Sequence, residues 1–345
     1  MSIKLKKLNE QVMVITGATS GIGLATARMA ADGGAHLVLA ARDGDALDTL
    51  ALELRQRGVD VATVAADVGN PADVAHIGQV AMERFGRVDT WVNNAGISVY
   101  GKNEAVALED MRKVMQTNFW GVVHGSLEAV KLMKGRGGGA IVNLGSEVSD
   151  RSVPLQGTYS ASKHAIKAFT ESLRMELRKE DAGISLTVVK PSAIATPFAN
   201  HAKSYMEHEP DLPSPNYAPE LVAQAIVHAA QVPERDLYVG GHAKLTSMAG
   251  YLMPRAVDRF MTRTMFSRQQ SDQPNSSVRR DALHTPDAAY ELRQRNDSDH
   301  RVVERSPYTA FEMRSVPAKT VLLGGALLAA WALTRRPWER RVWHA

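Results

Sequence analysis

The chain is expected to fold as a doubly wound α/β protein: a seven-stranded parallel sheet with helices on both faces, followed by a disordered linker and a C-terminal apolar helix. Three observations lead there. From Val12 to Gly240, short apolar runs alternate with longer stretches of helical period, the mark of successive βαβ units. Several runs, among them VMVIT, LVLAA and LTVVK, are apolar almost throughout, as strands are when both faces of a sheet are covered. The first run opens directly into a glycine-rich turn, TGATSGIG.

In order, the strands fall at Val12–Thr16, His36–Ala40, Asp60–Ala65, Val88–Val92, Ala140–Leu144, Ser185–Val189 and Leu237–Val239, with helices in the gaps. One helix spans Thr158–Arg178. Another, over Leu245–Met265, ends a first domain of residues 1–266. From Ser267 to Ala318 the composition turns polar, with eight Arg against eight Asp plus Glu; this mixed-charge stretch, 267–318, reads as a flexible linker and not as a polybasic lipid-binding tract. Residues 319–345 contain TVLLGGALLAAWALT, Thr320 to Thr334, between Lys319 and the pair Arg335 and Arg336. Fifteen uncharged residues fall short of the ~20 that cross a hydrocarbon core, so a membrane contact through 319–336 competes with a helix docked on protein, and the tether is preferred. Arginines and lysines flank the segment on both sides, so its orientation is not set.

Composition removes several function classes. A chain of 345 residues with 44% hydrophobic content has ample material for a core. It contains no cysteine, which excludes disulfides, thiolate metal sites and thiol nucleophiles, and fits a reducing cytoplasm, where the catalytic domain is expected. None of the eleven histidines sits in an HExxH-type pair, and no metal is expected. The formal charge of +4 is spread among interspersed acids and bases without a basic, aromatic-laced stripe, so no nucleic acid is expected as partner. Lys4, Lys6 and Lys7 precede no long apolar run and read as a solvated end.

The glycine turn carries the first chemistry. Gly17 permits the tight turn, Gly21 lets backbone approach a pyrophosphate, and Gly23 allows close packing of helix on sheet, with Thr19, Ser20 and Ile22 completing the cradle at the helix N-terminus. At the end of the second strand, where an NAD site usually holds an acid, Ala41 stands and Arg42 follows. A guanidinium there suits the 2′-phosphate of NADP, so NADP(H) is preferred over NAD(H); the alternative leaves Arg42 exposed beside a capping Asp43. Asp67 and Val68 follow the third strand, placed either to bracket adenine or to cap a loop. NNAG after the fourth strand puts Asn94, Ala95 and Gly96 at the carboxyl end of the sheet, where small residues admit a cofactor.

Tyr159 and Lys163, four apart in YSASK, project from one helix face. A phenol with an ordinary pKa of about 10 needs roughly 3 to 4 kcal/mol of preference for phenolate to titrate near neutrality, and a close ammonium is the expected source. Alone, such a pair is as readily an accident of a surface helix.

With TGATSGIG, NNAG, Asn118 in TNFWG, Ser146 in IVNLGSEVS, YSASK and KPSAIATP in this order, the chain resembles the short-chain dehydrogenase/reductase family from about Leu8 to Gly240. Ser146 precedes Tyr159 by the family's usual thirteen residues, and Ser192 replaces the glycine common after Pro191. The resemblance implies a Rossmann-type catalytic domain that moves hydride between a nicotinamide and a carbonyl or alcohol, with Tyr159 as general acid and base, and Ser146 holding the substrate oxygen. It further implies Lys163 on the nicotinamide ribose, Asn118 positioning a water, the segment Pro191, Ile194 and Thr196 at the carboxamide, and a homodimer or larger assembly. Ser98–Gly101, Glu147–Leu155 and Phe198–Asp211 are the expected substrate walls, made apolar by Val99, Tyr100, Val153, Leu155, Phe198 and Tyr205, so the small-molecule substrate is expected to be lipophilic. The competing reading is a catalytically silent nucleotide sensor or scaffold on the same fold; such proteins typically lose the tyrosine or lysine, and here both are kept.

Overall fold

The computed structural model describes residues 3–276, 279–296 and 300–314. Seven parallel strands form the central sheet: β1 (Val12–Thr16), β2 (His36–Ala41), β3 (Val61–Ala65), β4 (Thr90–Asn93), β5 (Gly139–Leu144), β6 (Ile184–Pro191) and β7 (Asp236–Val239), in the spatial order 3-2-1-4-5-6-7. Each strand agrees with its expected position to within two residues at either end.

The doubly covered sheet follows from the near-continuous apolar runs. Met13 and Ile15 of β1 face one way, into a core with Leu24 and Ala27 of α1 (Gly21–Asp32), Leu47 and Leu50 of α2 (Gly44–Gln56), and Val222 and Ile226 of a later helix, Pro219–Ala229. Val12 and Val14 face the other way, toward Ile77 of α3 (Pro71–Phe85), Met133 of the helix Gly121–Met133 and Leu173 of the helix Gly157–Lys179. Adjacent residues of a strand point to opposite faces, so a strand clad on both sides needs apolar residues at every position. Local signals fix the helix ends. Asp43 caps α2 by accepting from the Ala46 amide at 3.0 Å, and Asn70 caps α3 ahead of Pro71.

The remaining helices are α4 (Leu108–Met115), α5 (Gly121–Met133), α6 (Gly157–Lys179), the single turn α7 (Phe198–His201), α8 (Pro219–Ala229), α9 (Gly241–Leu252), α10 (Pro254–Arg268) and α11 (Pro307–Glu312). The single helix expected over 245–265 is two, because Pro254 has no amide proton to continue α9 and its ring instead starts α10.

The stretch expected to be a flexible linker is folded onto the domain over its described residues. Gln270–Pro274 pairs antiparallel with His208–Pro210, Val302–Val303 pairs with Asn216–Tyr217, and Leu283 is fully buried among Ile97, Val99, Val106 and Val114. Its mixed charge finds partners on the domain: Arg279 reaches Glu209 at 2.6 Å, His284 reaches Asp110 at 2.7 Å and Arg295 reaches Glu220 at 2.9 Å. A polar composition was read as solvated chain, whereas these charges are spaced to match a surface. The apolar segment 320–334 lies outside the described residues. Among those described, no helix is long and apolar enough to cross a membrane.

Candidate active site

The strand order reverses between β1 and β4, so the loops leaving their carboxyl ends diverge and open a crevice. The glycine turn fills its floor. Gly17 and Gly21 adopt φ of +64° and +52°, and a Cβ on Gly17 would stand 2.8 Å from the Ala95 Cα, closer than any side chain tolerates. Thr16 and Asn94 lock the turn to the end of β4. The Asn94 amide donates to the carbonyls of Thr16 at 2.9 Å and Gly17 at 3.1 Å, while the Thr16 hydroxyl accepts from the amides of Asn94 and Ala95. Asn94 is therefore a brace for the turn. Thr196 lies against Gly21, bringing the segment from Pro191 to Thr196 over the same crevice.

Tyr159 and Lys163 stand on α6 one turn apart, with the Lys163 ammonium 5.6 Å from the centre of the phenol ring and the Phe198 ring 5.3 Å from it on another side. Ser146 starts the short turn after β5. Its oxygen accepts from the Val148 amide at 3.3 Å, and its side chain stands beside the Tyr159 phenol in one cavity. Lys163 donates to the Leu144 carbonyl at 2.7 Å. Three of the four expected catalytic residues thus converge.

Asn118 is placed differently. It lies fully buried in a π-helical turn, Gln116–Trp120, between α4 and α5. Its amide accepts from the Ile97 amide at 2.9 Å and donates to the Ile97 carbonyl at 3.0 Å and to the Ser162 hydroxyl at 3.1 Å. Its Oδ1 and the Lys163 ammonium both border the open side of Gly96, 3.5 and 3.9 Å from where a Cβ would stand.

The electrostatics of this state differ from the expectation for the pair. Burial raises the Tyr159 phenol above its ordinary range, and the Glu147 carboxylate adds to this, while the neighbouring Ser146 hydroxyl acts in the opposite sense. Burial also pushes Lys163 down, to about 7. The same low-dielectric pocket that makes an ammonium persuasive to a phenol also makes the ammonium costly to keep.

A cavity of about 450 Å³ opens above Tyr159. All three expected wall segments contribute to it, and of their six named apolar residues Tyr100, Val153 and Phe198 line it. Val99 instead packs with Leu283, Leu155 packs behind Tyr100 with Ala202 and Met206, and the Tyr205 hydroxyl donates to Asp110 at 2.6 Å. Tyr100 is fully buried, and its hydroxyl has no hydrogen-bond partner among the described residues. Ser192, the departure from glycine, donates to the Glu147 carboxylate at 3.1 Å and so fixes one wall. Residues the sequence reading missed complete the enclosure: Leu212, Pro213 and Pro215, and Leu245, Val257, Phe260, Met261 and Met265 from α9 and α10. The spacing of Val257, Met261 and Met265 was visible as one apolar helix face, but nothing local says which surface that face covers.

The other end of the crevice is narrow. A cavity of about 90 Å³ is bounded by Thr19, Arg42, Asp67 and Val68 on one side and by Ala282, Pro286 and Glu291 of the folded-back tail on the other. The Arg42 guanidinium donates to the Leu283 carbonyl at 3.2 Å and also to that of Ala282. The Gly21 amide donates to the Arg293 carbonyl at 2.9 Å, and the Leu292 amide donates back to Thr19 at 2.8 Å. Asp67 is held by the Gly69 amide at 2.9 Å and Lys113 at 2.6 Å; these bonds outweigh its burial and keep its carboxyl below the usual range.

Parallel sheet, glycine turn at the switch point and a Ser–Tyr–Lys cluster lining one cavity define a dinucleotide-fold oxidoreductase. The match to known proteins narrows this class. Residues 11–207 match the family described as short chain dehydrogenase, and the chain belongs to that short-chain dehydrogenase/reductase family of oxidoreductases. An uncharacterized oxidoreductase, YxnA of Bacillus subtilis, is 45% identical over 97% of this chain and 93% of its own length. Dehydrogenase/reductase SDR family member 7B of Bos taurus is 34% identical over 76% of this chain and 82% of its own. Among solved structures, a short-chain dehydrogenase from Burkholderia phymatum in complex with NAD superposes with a TM-score of 0.63 at 28% identity, covering 79% of this chain and all of its own. An alcohol dehydrogenase from Thermococcus sibiricus complexed with 5-hydroxy-NADP gives 0.59 at 29% identity, covering 66% of this chain and 95% of its own.

Proposed function

We propose that the protein interconverts a lipophilic ketone or aldehyde and the corresponding alcohol with NADP(H) as hydride carrier. The observation that carries this reading is the meeting of Tyr159, Ser146 and Lys163 in one cavity whose floor continues into the glycine turn. The nicotinamide cofactor, when bound, supplies or accepts the hydride. Gly17 and Gly23 let the turn close tightly against Ala95 and on itself, which aims the N-terminus of α1 at the crevice where a pyrophosphate would lie, and Ile194 and Thr196 border the nicotinamide end.

The chain's own groups then do the proton work. A phenol raised by burial is fully protonated at neutral pH, the form a general acid needs, so Tyr159 is set to donate to a carbonyl oxygen. Ser146, its oxygen held by the Val148 amide, presents its proton to the same oxygen. Lys163 stabilises the resulting phenolate when charged, and Asn118 keeps the Ile97 backbone and α6 in register beside it. Arg42 supports a preference for NADP(H), because it is the basic group at the adenosine end. The many apolar groups around the cavity support a lipophilic substrate. A homodimer and a cytoplasmic catalytic domain complete the reading.

The test is NADPH and NADH binding to the full chain, followed by NADPH oxidation against ketones, aldehydes and sterols. Tighter NADPH binding, lost in Arg42→Ala, with turnover on an apolar carbonyl, supports the reading. Binding without turnover across a broad panel, unaltered by Tyr159→Phe, would favour the nucleotide sensor.

A further inference from the structure

Among the described residues, seven of the thirteen large apolar side chains that stand exposed fall between Leu245 and Phe266, on α9, α10 and the turn between them. In α9 the amphipathic pattern is reversed. Ala243 is buried, whereas Leu245, Met248 and Leu252, at i, i+3 and i+7, form a stripe on the solvent face with exposures of 66%, 50% and 68%. Tyr251 and Met253 extend that stripe onto the turn, Tyr251 at 87% exposure. A surface helix normally turns such a stripe inward, so this one is built to meet something apolar.

In α10 the inward face is conventional, with Val257, Met261 and Met265 toward the cavity. Its outward face is basic. Arg255, Arg259 and Arg263 recur at every fourth residue, all exposed, and among the described residues none has a carboxylate partner. Phe260 and Phe266 stand beside them, also exposed. From Gly241 to Arg268 the chain carries Lys244, Arg255, Arg259, Arg263 and Arg268 against Asp258 alone, and Asp258 is engaged by Arg151. That net charge of +4 equals the charge of the whole chain.

An exposed apolar stripe beside a row of unpaired arginines is the pattern of a helix pair lying in the headgroup plane of a bilayer. We propose that α9 and α10 form a docking face for an anionic lipid surface, and that substrate dissolved in the lipid enters the cavity between Leu245 and Phe260. Those two side chains are exposed and line the cavity as well, so its mouth opens within the apolar face. A second copy of this chain fits less well. A two-fold contact through this face would bring the basic rows of two chains together without intervening acids. Anionic headgroups answer the same row favourably, by roughly fivefold in partitioning for each basic group near the surface.

Docking stands on the exposed face alone; only the entry route rests on the proposed carbonyl chemistry. The experiment therefore reads vesicle binding and not turnover. The full chain is floated with vesicles of phosphatidylcholine alone and of phosphatidylcholine with phosphatidylserine, at low and high salt. Two variants are compared with it, Met248→Glu/Leu252→Glu and Arg255→Glu/Arg259→Glu/Arg263→Glu, with thermal melting by circular dichroism to establish that they fold. We expect flotation with the anionic vesicles, weakening as salt rises, and a fall of at least tenfold in each variant. Equal flotation of wild type and variants would overturn the proposal and place any lipid contact elsewhere in the chain. Absence of flotation, with a sedimenting dimer that Met248→Glu/Leu252→Glu converts to monomer, would assign the face to self-association instead.

Discussion

The Arg42 guanidinium donates to the Leu283 carbonyl at 3.2 Å, so the guanidinium at the narrow end of the crevice is already engaged by the chain's own tail. The Gly21 amide, engaged by Arg293, is in the same position. On the proposed NADP(H) reading, a 2′-phosphate would compete with the tail carbonyls for that guanidinium, and an ion pair with phosphate is stronger than a bond to a neutral carbonyl.

Weakening the tail should therefore strengthen NADPH binding. Leu283→Asp places a carboxylate in the apolar pocket formed by Ile97, Val99, Val106 and Val114 and should lift the tail off Arg42. The expected result is a Kd for NADPH lowered by about tenfold, equivalent to ~1.4 kcal/mol, in a fluorescence titration of the full chain. A raised Kd would mean instead that the tail walls in the bound nucleotide.

Tyr159→Phe removes the proposed proton donor while leaving the ring and its contact with Phe198. Turnover should fall by a factor of about 10² to 10⁴, the usual worth of general acid catalysis, with NADPH binding unchanged. Retention of more than a tenth of the activity would transfer the acid role to another group.

Lys163 should make stability rise with pH. Its folded pKa is about 7, whereas in the unfolded chain it returns to about 10.5. Between those values the unfolded state holds the proton that the folded state has released, so this group's contribution to stability increases from pH 7 to about 10.5. Denaturation midpoints measured across that window should climb less steeply for Lys163→Met than for the wild type. Parallel slopes would show that the ammonium stays charged in the folded protein.

Tyr100, on the cavity wall, carries a buried hydroxyl without a partner among the described residues. Tyr100→Phe should be neutral or stabilising by up to ~1 kcal/mol, since an unsatisfied polar group is removed. If that hydroxyl binds substrate, KM should rise several-fold with kcat little changed. An unchanged KM would confine Tyr100 to shaping the wall.

Much of this site was legible beforehand, for identifiable reasons. Tyr159 and Lys163 meet because i and i+4 share a helix face, and the glycine turn is read from its place between the first strand and the first helix. The pKa of that pair was not legible. It depends on how deeply the fold buries Lys163, and burial reversed the expected effect on Tyr159. Val99 and Tyr205 were expected on the substrate wall because they are apolar or aromatic beside the motif; the tail and Asp110 engage them instead.

The sequence alone determined the strands, the doubly covered sheet and the order of the motifs, because apolar periodicity and glycine placement act over windows of a few residues. The tertiary structure decided what those windows meet. Arg42 and Ala282 are 240 residues apart, and no local pattern joins them. The polar composition of 267–318 described a solvated chain, yet Arg279, His284 and Arg295 find carboxylates on the domain, and Leu283 finds an apolar pocket. Charge and hydrophobicity state what a segment can bind, whereas only the assembled surface supplies complementary groups at matching distances.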